Sequence, residues 1–465
     1  MDSNIENVEN LLKYSKCGME EFIKEDKIDY SKIPINIINQ YRDDLLSKGI
    51  FTGCRVGVLI KNNNIFFPVV ITLNKLCSQL FFLNDIIYND NNIDEKHIID
   101  ILITDKPIKN SNYIGEEKIN MFNEKIYIYL FSQNNHKKSI KEREYVFFTS
   151  GTTGKSDMVY KKESSICKEA ISISRKLKFQ KNEKMLVIAP TFHAYGNAYS
   201  CFAAAFAGVT VKYLPNISTK TKILKELQSN EYNILLSTPF YFEQLIENEE
   251  CLSKLRLKVC SGGKVGKKIF SSKVNINNAY GSTETGAISI QTFESGGSNT
   301  DVGNEYDGVK VMFLKDNKKN DLKGSVVIKS DYIAHKIVTQ KEEQIINNNT
   351  IVLKDEGYRN SNDDIVILGR KDRIVNIAGE KISLNEVEEI LYKIGNVKET
   401  RVVVKLDNDM QEYLCAYVVL NDKNMPINLR GEMMKYLPIS KIPKKIYFKD
   451  FLLKTETGKI KEKQE

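Results

Sequence analysis

At 465 residues, 42% hydrophobic and 28% charged, the chain has apolar material for two folded domains and is not composed like a disordered one. The net charge of +8 is a mild excess that a solvated surface absorbs, and no aromatic-interleaved basic groove accompanies it, so nucleic acid is not an expected partner. The longest apolar run, residues 201–211, is too short for a membrane span.

The polar start (Met1, Asp2, Ser3, Asn4) has no basic stretch before an apolar core. Eight scattered cysteines lack CxxC spacing, and the four histidines lie far apart. Reduced thiols in a cytoplasmic protein are the expectation, with neither a disulfide framework nor a zinc cluster.

From residue 51 onward, apolar runs of strand length alternate with amphipathic stretches of helix length. Buried strands are predicted at 55–60, 101–104, 145–149, 185–189, 209–214 and 234–238, and helices at 163–177 and 220–228. This alternation predicts parallel sheets covered by helices. Residues 309–314 and 325–329 bracket a polar stretch, 315–323, that reads as a hairpin loop. The asparagine runs 62–64 and 347–349 read as loop tips. After Arg370 a compact tail carries a helix at 384–392, strands at 399–405 and 412–420, and a basic terminus from Lys435 to Lys463. Such a terminus suits an anionic partner: a nucleotide, coenzyme A or an acidic carrier protein. The expected division is 1–371 and 372–465.

Two segments carry the chemistry. Thr149-Ser150-Gly151-Thr152-Thr153-Gly154-Lys155 comes directly after the apolar strand residues 145–148. Glycines admit a polyphosphate close to the backbone, hydroxyls and amides donate to it, and a lysine neutralises charge. It is not a Walker A loop, because Thr149 stands where glycine is required. A plain turn after a strand is the competing reading. Asn278-Ala279-Tyr280-Gly281-Ser282-Thr283-Glu284-Thr285-Gly286 places an aromatic face, a hydroxyl and a carboxylate within five residues. A tyrosine stacks on a purine and a glutamate holds Mg²⁺ against phosphates, although a solvated polar turn would look similar.

Together these segments resemble the phosphate loop and adenylate motif of the adenylate-forming superfamily of acyl-CoA synthetases, peptide-synthetase adenylation domains and luciferases. Further matches follow in order. Pro190-Thr191-Phe192-His193 resembles the motif shaping the acyl pocket, and Ser261-Gly262-Gly263 the adenine-side glycine pair. Asp355, then Leu368-Gly369-Arg370-Lys371-Asp372-Arg373, resembles the ribose-binding aspartate and the hinge. Gly379-Glu380-Lys381-Ile382 resembles the thiol-tunnel loop, and Lys454-Thr455-Glu456-Thr457-Gly458-Lys459 the loop with the catalytic lysine.

The resemblance implies an α/β fold: a large N-terminal domain of parallel sheets layered with helices plus a β-barrel-like subdomain, and a small mobile α+β C-terminal domain. It also implies two half-reactions, adenylation of a carboxylic acid by Mg·ATP and then thioester formation. In these, Ser150, Gly151, Thr152, Thr153, Gly154 and Lys155 take the phosphates, Thr283 the α-phosphate and Glu284 the Mg²⁺. Gly262, Gly263 and Tyr280 flank the adenine, Asp355 and Arg370 hold the ribose, and Lys459 meets developing negative charge. Rotation about Asp372 brings Gly379, Glu380 and Lys381 to the site. His193 closes the acyl site or orients the carboxylate. The pocket is expected around Phe192, His193, Tyr195, Asn197, Asn278, Ala279 and Ala287. No aspartate pairs with a substrate ammonium at this motif, which favours a fatty or aromatic acid over an amino acid.

Three departures stand out. Asp157 occupies the usual lysine position of the phosphate loop, leaving Lys155 or Lys161 to supply that charge. Asp355 follows Leu353-Lys354 in place of Thr-Gly, and Leu453 replaces a common proline. The acceptor is coenzyme A or the phosphopantetheine of an acyl carrier protein. A non-catalytic nucleotide-binding regulator on the same fold is the alternative from another class.

Overall fold

The structure is a computed structural model. It describes residues 23–24, 27–29, 35–61, 63–74, 76–90, 98–108, 113–131, 143–149, 156–215, 218–229, 231–263, 265–266, 269, 272–292, 300–314, 323–340, 342–377, 380–407, 411–422, 428–454, 460–461 and 464. The chain forms two compact units, residues 1–312 with 327–351 and 363–365, and residues 313–326 and 352–362 with 366–465.

The first unit holds two nine-stranded sheets. One centres on four parallel strands in the order Glu144–Phe148, Cys77–Phe82, Cys54–Leu59 and Ile101–Thr104. The other centres on Thr210–Tyr213, Lys184–Ile188, Ile234–Ser237, Leu257–Cys260 and Asn277–Ser282, also parallel. These strands are covered on both faces, so Leu-, Ile- and Val-rich runs such as Ile234–Ser237 are buried throughout. Between the sheets' strands, helix Glu163–Lys176 turns Ile166, Cys167, Ala170 and Ile173 inward at helical spacing. Burying such side chains stabilises by about 1.5–3 kcal/mol for each large one.

One expectation fails here. Residues 62–64 were expected to form a loop tip, yet helix Asn63–Leu73 begins at Asn63. Ile65, Phe66, Phe67, Val69, Val70, Ile71 and Leu73 are all buried, and that apolar packing outweighs the turn preference of asparagine. Thr191 Oγ1 donates to Asn63 Oδ1 at 2.9 Å. The other asparagine run does turn, with Asn348 and Asn349 at φ 55° and 49°.

A four-stranded sheet orders Val309–Leu314, Gly324–Ser330, Thr350–Arg359 and Ile365–Arg370. In the second unit, Val397–Leu406, Glu412–Leu420 and Lys445–Phe448 form a three-stranded sheet. Helix Leu384–Lys393 buries Leu384, Val387, Ile390 and Leu391, and Ser383 Oγ caps it by accepting from Glu386 N at 3.3 Å. Among the described residues no helix is long and apolar enough to cross a membrane.

Candidate active site

The parallel strands of the second large sheet end side by side, and each releases a motif. Strand Lys184–Ile188 runs into Pro190, Phe192 and His193, Ile234–Ser237 into Thr238, Leu257–Cys260 into Gly262 and Gly263, and Asn277–Ser282 into Thr283 and Glu284. Their order in the sheet is 184–188, 234–237, 257–260, 277–282, so segments far apart in sequence share one edge. Carboxyl ends of parallel strands are where open α/β sheets bind ligands.

Side chains fasten these loops to one another. Tyr195 Oη donates to the carbonyls of Ser237 (3.1 Å) and Val259 (3.0 Å), tying the histidine loop to the next two strands of the sheet. Ser261 Oγ donates to the Ala279 carbonyl at 2.7 Å. Asn197 Nδ2 donates to the Thr191 carbonyl at 3.1 Å. The His193 ring lies 4.4 Å from that of Phe192, and burial draws its pKa down to about 4. It is therefore a neutral imidazole at physiological pH, suited to hydrogen bonding and packing.

Gly262 and Gly263 are exposed, with Gly262 at φ +90° beside Thr238. Thr238 Oγ1 is buried without a hydrogen-bond partner among the described residues. The exposed backbone of the two glycines leaves room for a flat ring such as adenine.

The turn with Thr283 and Glu284 is closed by reciprocal hydroxyl bonds. Thr285 Oγ1 accepts from Ser282 N at 3.1 Å, and Ser282 Oγ accepts from Thr285 N at 3.2 Å. The Glu284 carbonyl accepts from Ala334 N at 2.7 Å. One carboxylate on a tight turn fits Mg²⁺, which keeps several waters and takes substrate phosphates as further ligands.

In the first large sheet, Thr149 ends strand Glu144–Phe148. Thr149 N donates to the Asp157 carbonyl at 3.0 Å and Thr149 Oγ1 accepts from Asp157 N at 3.1 Å. Ser150, Gly151, Thr152, Thr153, Gly154 and Lys155 lie outside the described residues. Lys161, one candidate for the missing charge, does not point to a free site. Its side chain is 1% exposed and bound to the equally enclosed Glu169. A pairing across eight residues of strand and helix carries no pattern that composition or spacing reveals.

In the second unit Asp355 sits in strand Thr350–Arg359 and Arg370 ends the adjacent strand Ile365–Arg370. Asp372 lies in the 3₁₀ turn Lys371–Arg373, between strands Ile365–Arg370 and Ile374–Ile377. Strand Glu380–Ser383 pairs with Ile374–Ile377, while Gly379 and the side chains of Glu380 and Lys381 lie outside the described residues. Lys459 does too, but Lys454 and Ile460 on either side of it form an antiparallel bridge.

The profile of AMP-binding enzymes matches residues 69–337, and that of the AMP-binding enzyme C-terminal domain matches 386–459. The chain belongs to the AMP-binding enzyme family. This places it in the adenylate-forming superfamily.

Among AMP-binding enzymes, it is 23% identical to 2-succinylbenzoate–CoA ligase of Bacillus cereus (strain Q1), over 94% of this chain and 93% of that one. It is 24% identical to 3,4-dihydroxybenzoate–[aryl-carrier protein] ligase of Bacillus anthracis, over 70% and 73%. Other curated relatives are much longer, and the chain spans 42% of one and 6% of another. O-succinylbenzoate coenzyme A synthetase (MenE) from Bacillus subtilis, solved with AMP, shares the fold at a TM-score of 0.74 and 19% identity, covering 92% of this chain and 91% of that one.

Proposed function

We propose that the protein adenylates a fatty or aromatic carboxylic acid with ATP and passes the acyl group to the thiol of coenzyme A. The observation that carries this reading is the shared strand edge, which gathers His193, Thr238, Gly262, Gly263, Thr283 and Glu284 from four neighbouring parallel strands. In support, the 2-succinylbenzoate–CoA ligase relative matches nearly end to end.

In the first half-reaction a carboxylate oxygen attacks the α-phosphorus of ATP and pyrophosphate leaves. Both reactants are anions, so positioning and charge neutralisation supply the acceleration. Ser150, Thr152 and Thr153 donate to the phosphates, Thr283 to the α-phosphate, and Lys459 meets the charge that develops. Asp355 and Arg370 hold the ribose while Tyr280 stacks on adenine. Neutral His193 orients the acid without adding charge. Glu284 would hold Mg²⁺, which neutralises phosphate charge when bound. In the second half-reaction the thiol attacks the acyl carbonyl and AMP leaves, with residues 379–381 lining the thiol's approach after rotation about Asp372.

The test is acid-dependent exchange between ATP and labelled pyrophosphate over fatty, benzoic, cinnamic and amino acids. Exchange with one acid class supports the reading. ATP binding without exchange for any acid favours a nucleotide-binding regulator. Acceptor choice is read by offering coenzyme A and a phosphopantetheinylated carrier protein in turn. The carrier is the second reading, favoured by the aryl-carrier ligase relative, and turnover with carrier alone would establish it.

A further inference from the structure

We propose that Lys161 and Glu169 are positioning residues for adenylation, a buried ion pair that sets the turn bearing Thr283 and Glu284 relative to the strand leaving the phosphate loop. The inference rests on the adenylation reading. Lys161 lies on strand Met158–Lys162, which pairs antiparallel with Glu144–Phe148, so these two strands flank the loop. Glu169 lies on the following helix, Glu163–Lys176. The side chains are 1% and 4% exposed, so the pair is sealed from water.

Glu169 uses its carboxylate twice. One oxygen meets Lys161 Nζ, and the other accepts from Ala287 N at 3.0 Å. Residue 286 must be glycine for that approach, because a Cβ there would stand 2.5 Å from Glu169 Oε1. Gly286 also has φ +73°, so the carboxylate rests on the backbone that closes the turn at 282–285. Tyr332 Oη holds the far side by donating to the Ala287 carbonyl at 3.1 Å.

A buried ion pair is a poor means of stabilisation, since an apolar pair of equal volume does as well or better. Here it does what an apolar pair cannot. It accepts the backbone N–H of Ala287, the residue directly after the adenylate motif, while being neutralised from the strand that follows the phosphate loop. Lys161 thus acts on phosphates through Glu169 and the turn, and touches no phosphate itself.

The experiment compares wild type with Lys161→Met, Glu169→Gln and the double variant Lys161→Met/Glu169→Leu. Mg·ATP affinity is measured by titration calorimetry, KM and kcat by exchange, and the second half-reaction with synthetic acyl-adenylate. The expected result is an Mg·ATP Kd and KM raised about 10-fold or more in each variant, with consumption of preformed adenylate changed less than about 2-fold. Glu169→Gln, the isosteric change, keeps the informative readout if Lys161→Met folds poorly. The double variant should regain thermal stability without regaining affinity. Wild-type Kd and KM in the variants, with kcat falling only as the folded fraction falls, would overturn the inference and leave a packing role. Wild type that binds Mg·ATP without exchanging would sink the catalytic reading alone, and the Kd comparison would still decide the role of the pair. Wild type that binds no Mg·ATP would sink both.

Discussion

Arg373 Nη2 donates to Glu388 Oε1 at 2.7 Å, one residue past Asp372. It also donates to the Val402 carbonyl at 3.0 Å, and Glu388 Oε1 accepts from Val402 N at 2.8 Å. Helix Leu384–Lys393 and strand Val397–Leu406 are thereby bound to the last residue of the turn Lys371–Arg373. The proposed rotation would therefore have its pivot before Arg373, because these bonds tie the helix and strand to Arg373. Two outcomes are expected. Asp372→Pro blocks thioester formation and leaves pyrophosphate exchange near wild type, since proline fixes φ. Arg373→Met leaves Glu388 with a weaker partner in Arg401, at 3.6 Å, and destabilises the C-terminal unit by about 2 kcal/mol or more. Urea unfolding checks the second, and an unchanged midpoint would refute it.

Gly286→Ala tests the turn itself. The φ of +73° disfavours any side chain, and the new methyl would press on Glu169. A stability loss of about 1–3 kcal/mol is expected, together with weaker Mg·ATP binding. Thermal melting and calorimetry on one sample read both, and wild-type values for both would refute the account.

His193 makes stability depend on pH. Its folded pKa of about 4 lies below the ordinary histidine value of about 6.5, so the unfolded chain binds more proton between these values. The stabilisation from keeping it neutral is complete above about pH 6.5 and is lost as pH falls towards 4. The urea midpoint of wild type should therefore drop between about pH 7 and pH 5, and His193→Asn should drop by less. Equal drops would show that other groups carry the acid sensitivity.

Lys459→Ala should lower exchange by about 10²–10³-fold while sparing thioester formation from synthetic acyl-adenylate. The flanks of this loop are held by Gln464, whose Nε2 donates to the carbonyls of Leu453 (3.2 Å) and Lys461 (2.7 Å) and whose Oε1 accepts from Leu453 N at 2.7 Å. Gln464→Ala is expected to give the same split in milder form. A variant losing both half-reactions equally would count against it.

The elements legible in the sequence are those that need both faces buried. Residues 101–104 and 234–238 read as strands because each opens on three consecutive apolar residues, and the structure has Ile101–Thr104 and Ile234–Ser237 there. The hairpin Gly115–Met121 with Glu124–Leu130 is not legible in this way. Its first strand alternates exposed and half-buried residues and carries Glu116, Glu117 and Lys118, so hydrophobicity alone does not mark it. Helix Asn63–Leu73 is hidden at its start because three asparagines favour turns locally, whereas the packing of Phe66 and Phe67 is a long-range effect.

The sequence by itself determined the family, since short motifs in a set order constrain which side chains and glycines are present wherever the chain goes. It also determined the alternation of buried strands and helices, because burial on two faces demands uninterrupted apolar runs. Only the tertiary structure decided which residues meet. Glu169 reaches Ala287 across 118 positions, and Lys161, a candidate phosphate ligand by sequence, is the buried partner of that carboxylate. Strand order brings His193, Gly262 and Glu284 to one edge, and strand order is set by long-range packing that no local run of residues encodes.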